Sequence, residues 1–145
     1  MRTLGVWILV ATLAVAVAHG AEESVVALKA RLDTAPAQDR PTICIHIAQL
    51  QLKNADRLYE EGNVEEARDA VRDIITYSEK ARDAAKVSRK HLKRVEIALR
   101  KMADRLDDIK RTLAFDDQAP VQDAIQRLQD LRTSLLQEMF KKEKK

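Results

Sequence analysis

The stretch 63-NVEEARDAVRDIITYSEKARDAAKVSRKHLKRVEIALRKMADRLDDIKRTLAF-115 decides the fold, because it holds neither glycine nor proline and carries one apolar register throughout. Steps of three and four residues connect Val64, Ala67, Val71, Ile74, Ser78, Ala81, Ala85, Ser88, Leu92, Val95, Leu99, Met102, Leu106, Ile109 and Leu113. That spacing is a heptad repeat, the pattern of a helix that buries one seam against a partner helix. The reading it predicts is one continuous helix of about 50 residues, roughly 75 Å long at 1.5 Å per residue. The alternative is a break near Val87-Ser88-Arg89, which folds the same stretch into a compact bundle. A register unbroken across that point favours continuity.

The flanks supply shorter helices. Thr42 to Glu61 places Ile45, Ala48, Leu52, Ala55 and Tyr59 on one stripe, broadened by Ile47, Leu50 and Leu58. Gly62 suits a left-handed stop, and Asn63 followed by Glu66 predicts a capping box opening the next helix. The segment from Ala55 to Ala67 is similar to the turn of a tetratricopeptide unit, in which a small residue, an aromatic, Gly and Ala recur at comparable offsets. It occurs once and lacks that pattern's later proline, so a generic helical hairpin accounts for the same residues.

Upstream, Val25, Val26, Leu28 and Leu32 predict a short helix from Glu22 to Asp33, followed by a hinge from Thr34 to Pro41. Downstream, a loop at Phe115-Asp116-Asp117-Gln118-Ala119 is expected before Pro120 starts a last helix. Its stripe is Val121, Ala124, Ile125, Leu128, Leu131, Leu135, Leu136 and Met139. The expected fold is therefore all-α, an elongated antiparallel helical bundle built on one long heptad-repeat central helix with a hairpin partner at each end. The bundle spans residues 42–140, after a short helix and hinge at 21–41 and before a basic tail at 141–145.

Composition agrees with this class. In 145 residues, an apolar fraction of 46% beside 34% charge excludes a disordered tail, and 3% aromatics with three glycines excludes a β-sandwich. The first twenty residues predict a cleavable secretory signal: Arg2, an uncharged apolar run from Leu4 to Ala18, and a small-residue exit at Ala18-His19-Gly20-Ala21. As a helix that run rises about 22 Å, short of the roughly 30 Å of a bilayer core, which argues against a retained anchor. The expectation is an exported protein, periplasmic or secreted, with a bacterial type of signal. Cys44 cannot pair within its own chain, so it reads as a buried apolar cysteine among Ile43, Ile45 and Ile47, or as an intermolecular disulfide.

Motifs for chemistry are missing. No paired-cysteine zinc site, His-Glu-x-x-His, haem-attachment motif, phosphate loop or nucleophile elbow occurs. Cys44 and His46 stand about 200° apart on a helix and cannot clasp one metal. Met102, Met139, His46 and His91 are the groups a cofactor-binding bundle would use, but no Glu-x-x-His accompanies them. The expectation is no enzyme, no cofactor, no nucleic acid partner and no small-molecule substrate.

Charge is patterned more sharply. Between Arg57 and Asp73, six carboxylates face three arginines, whereas between Lys86 and Lys101 seven cations face Glu96 alone. Lys86, Arg89, Lys90, Lys93 and Arg94 form the candidate patch for an anionic envelope surface such as lipid head groups. Ser78, Ala81, Ala85 and Ser88 form a candidate self-association seam, where two long helices cross antiparallel and set acidic half beside basic half. The competing account is that these small residues receive the N-terminal helix or mark a bend within a monomer. The expected function is an exported, non-enzymatic scaffold or protein-interaction module. The alternatives are a chaperone-like or anionic-surface binder and, third, a cofactor-binding bundle.

Overall fold

A computed structural model describes residues 23–141, so the expected signal segment and all but the first residue of the basic tail lie outside the described residues. Five helices follow one another: α1 (Val25–Thr34), α2 (Arg40–Glu60), α3 (Val64–Ser88), α4 (Leu92–Thr112) and α5 (Phe115–Lys141). The described residues contain no strand and no helix long and apolar enough to cross a membrane.

Local chemistry sets the boundaries. Ser24 starts α1 by accepting the Ala27 N–H at 3.1 Å, and Ala35 ends it because a residue before proline is driven out of the helical region. Pro41 sits in the first turn of α2, where its missing N–H has no helical partner to lose. At the other end Gly62 takes φ +80°, the Asn63 N–H reaches back to the Leu58 carbonyl at 2.8 Å, and the Gly62 N–H reaches Tyr59. Those two bonds make a Schellman stop. Asn63 is committed to that stop, so the expected capping box does not form: its side chain gives α3 no cap and donates to Glu61 instead.

The continuous central helix is overturned. α3 ends at Ser88, and the chain reverses through Arg89-Lys90-His91, with Arg89 at φ 59° and His91 at φ 63°. Ser88 switches the backbone off its ladder, donating its hydroxyl to the Ala84 carbonyl at 2.7 Å and accepting the Lys90 N–H at 3.3 Å. A second correction concerns Pro120. α5 already begins at Phe115, with the Leu113 carbonyl accepting from the Gln118 side chain, and Pro120 lies inside the helix.

The result is two helical hairpins, α2–α3 and α4–α5, set side by side. Three ion pairs reach α5 from α3 and the residue that ends it: Arg68–Asp117 at 3.1 Å, Glu79–Arg127 at 2.7 Å, and Arg89–Glu138. Their partners are 49, 48 and 49 residues apart, a nearly constant offset that only parallel helices give. Asp56 and Arg105 join α2 to α4 at the same offset of 49. Like thus lies on like across the hairpins.

The core runs between all four long helices. Val71, Ile74, Val95, Leu99, Leu106, Leu128, Leu131 and Leu135 are almost or wholly without exposure, and alanines at 48, 55, 67, 81, 85 and 124 let the backbones approach. Each large side chain so buried stabilises the fold by about 1.5–3 kcal/mol, against about 0–1 kcal/mol for a surface ion pair. The core therefore supplies the stability, and the crossing pairs set the register. α1 lies on α2, where Leu28 closes a smaller cluster with Ile43 and Ile47.

Because His91 is exposed and holds a left-handed backbone, His91→Gly is expected to raise stability by about 0.5–1 kcal/mol in urea denaturation. An unchanged or lower midpoint would contradict the strained reversal.

Candidate functional site

The connection between α3 and α4 gathers the basic run at one end of the bundle. Arg89 is spent on structure: its guanidinium donates to Glu138 on α5, and that hydrogen bond is the main reason the Glu138 carboxyl titrates below its ordinary value. Lys93 is also engaged, donating to Glu96 Oε2 at 3.2 Å. Lys86, Lys90 and Arg94 form no ion pair among the described residues; Lys90 and Arg94 are exposed, and Lys86 is half-buried, its charge also acting on Glu138.

The first turn of α4 intensifies the same end. Its leading N–H groups have no side-chain cap, its first turn holds no acidic residue, and Lys93 and Arg94 occupy the positions where Asp or Glu normally complement the helix dipole. By contrast α3 opens with Glu65 and Glu66, and α5 with Asp116 and Asp117. Both of those turns lie at the opposite end. The hairpins thus sort an interleaved sequence into a basic end and an acidic end, and a helix start among cations attracts anions. The basic run was legible in the sequence; the uncapped start of α4 was not, because it exists only where the heptad stretch breaks.

Glu96 is the one carboxylate within the basic run and is buried, with its side chain 3% exposed. Arg132 Nε donates to its Oε1 at 2.7 Å and Lys93 to its Oε2, so both oxygens are satisfied. The hydrogen bond from Arg132 is the largest influence holding Glu96 below its ordinary value, outweighing the effect of burial.

The self-association seam does not survive folding. Ser78, Ala81 and Ala85 have no exposure, and Ser88 is half-buried at the break. These small residues face the interior of their own chain, so the crossing of two long helices there is not available. Cys44 is 2% exposed, and burial pushes its thiol up to about 11 despite the nearby charges of Lys80 and Arg40. It sits beneath an open groove of about 640 Å³ between the α1–α2 turn and α3, bordered by Leu32, Ala84 and Val87.

The groups weighed for a cofactor are dispersed between core and surface. Met102 is in the core, Met139 is half-buried, and His46 and His91 are exposed on α2 and at the connection. No group of three His, Cys, Asp or Glu side chains among the described residues is placed to hold a metal. Compared with known proteins, the chain matches no family model, no curated protein and no solved structure.

Two measurements follow from these environments. With its folded titration below 4.5, Glu96 contributes its full stabilisation above that pH and loses it as pH falls through the lower folded value. Glu96→Gln is therefore expected to cost about 1–3 kcal/mol at pH 7, with the gap to the parent shrinking below pH 4.5. A gap constant down to pH 3 would exclude an ionised, paired Glu96. For Cys44, alkylation by iodoacetamide at pH 8 is expected to run at least tenfold faster in the urea-unfolded chain than in the native protein. Equal rates would place the thiol at the surface.

Proposed function

We propose that this chain is a non-catalytic helical interaction module, exported as its first twenty residues suggest, which docks on an acidic surface through the α3–α4 connection. The observation that carries this reading is the company of Lys86, Lys90 and Arg94: three cations without an ion pair among the described residues, beside a helix start that no carboxylate caps. Cations near an anionic bilayer each add about 1 kcal/mol, and the acidic far end orients the molecule by repulsion. For an exported chain the anionic head groups of an envelope membrane are the partner this chemistry fits best. The fold supplies the rigid mount, because Arg89–Glu138 and the core hold the connection in place.

Cosedimentation with vesicles tests this. Binding to vesicles containing phosphatidylglycerol is expected at low salt, with release by high salt and no binding to neutral phosphatidylcholine. Replacing Lys86, Lys90 and Arg94 together by Glu is expected to weaken binding at least a hundredfold. Absence of binding at low salt, or a triple variant that binds like the parent, would reject the reading.

A further inference from the structure

The basic end of the bundle also holds an aromatic ring in water, which attraction between charges leaves unused. Phe140, in the last turn of α5, is 59% exposed. Two contacts fix its height. Arg89 of the connection donates to Glu138, two residues before Phe140. Arg132 bonds Glu96, from which α4 has one turn left before its first residue, Leu92, whereas α5 runs two turns on from Arg132 to Phe140. At 1.5 Å per residue, Phe140 stands about 6 Å past the start of α4, level with the connection at the tip of the bundle.

Its neighbours in the chain are cations. Phe140 opens the run 140-FKKEKK-145, with four lysines to one glutamate, and Lys141 is exposed. Phe115 holds the opposite position: it is 86% exposed but starts α5 at the acidic end, next to Asp116 and Asp117. The two phenylalanines thus mark the two ends of the molecule, one among lysines and one among carboxylates.

Charge alone holds a protein on a bilayer weakly at physiological salt, because ions screen it, whereas an apolar group that leaves water adds a contribution salt does not screen. A ring flanked by lysines suits the boundary between head groups and acyl chains, where the ring meets hydrocarbon and the ammonium groups stay with the phosphates. We infer that Phe140 is a membrane anchor. It enters that boundary of an anionic bilayer as Lys90 and Lys141 meet the head groups, so the molecule stands on its basic end with Phe115 in water. This inference rests on the proposed docking to an anionic membrane, and adds the group that penetrates and the direction of approach.

Tryptophan fluorescence of the full chain decides it. Trp7, the one tryptophan of the sequence, is replaced by Phe, and Phe140→Trp or Phe115→Trp then supplies a single reporter at one end or the other. On vesicles containing phosphatidylglycerol at low salt, the Phe140→Trp emission is expected to shift to the blue and to be quenched by brominated acyl chains. The Phe115→Trp emission is expected to stay as it is in water. Phe140→Ser is expected to bind the same vesicles roughly tenfold more weakly, with circular dichroism showing that its helices are kept. Binding with the reporter at position 140 still in water would overturn the inference while the docking reading stands, and so would a Phe140→Ser chain that binds like the parent. Equal quenching at both ends would overturn the direction of approach and the inference with it. No binding to these vesicles at all would reject the docking reading itself and everything that rests on it.

Discussion

The reversal at Arg89-Lys90-His91 is the constraint on which the remaining structure depends. A straight helix through this region would carry the α4 stripe away from α2 and leave Val95, Leu99, Met102, Leu106 and Ile109 with only α5 to cover them. Turning back places that stripe in a core shared by all four long helices, where these residues are at most 3% exposed. Two left-handed residues cost about 1–2 kcal/mol each, whereas each large apolar side chain contributes about 1.5–3 kcal/mol on burial. Burial wins by a wide margin. The turn therefore needs no glycine, and Ser88 and Glu138 supply hydrogen bonds that hold it.

Parallel stacking of the hairpins follows from that turn and governs the electrostatics. With α2 beside α4 and α3 beside α5, residues about 49 positions apart become neighbours, and the crossing pairs mark that offset along the bundle. The same geometry brings both tight turns, with their Glu and Asp residues, to one end and the basic connection to the other.

The heptad reading illustrates how a correct pattern can carry a wrong conclusion. Nearly all its positions are buried in α3 and α4, and those at the break, Ser88 and Leu92, are half-buried. Its continuity is false because an apolar register records only that each residue faces some partner. A three-residue reversal between two helices preserves the three- and four-residue steps on both sides. For the same reason the small residues Ser78, Ala81 and Ala85 look like a surface for close helix approach; that approach does occur, but within the chain. The capping box at Asn63 and the loop before Pro120 fail for local reasons, since a neighbouring turn claims Asn63 and α5 tolerates its proline inside the helix.

Composition and spacing by themselves determined that this protein is helical, which residues line its core, that Gly62 ends a helix, and that a dense basic run follows an acidic one. Those properties are local: propensity, periodicity and charge are carried by residues a few positions apart. Tertiary structure alone decided the break at Ser88, the parallel pairing at an offset near 49, the burial of Glu96 and the separation of charge between the ends. These depend on contacts between residues far apart in the chain, whose energies arise only once the hairpins meet.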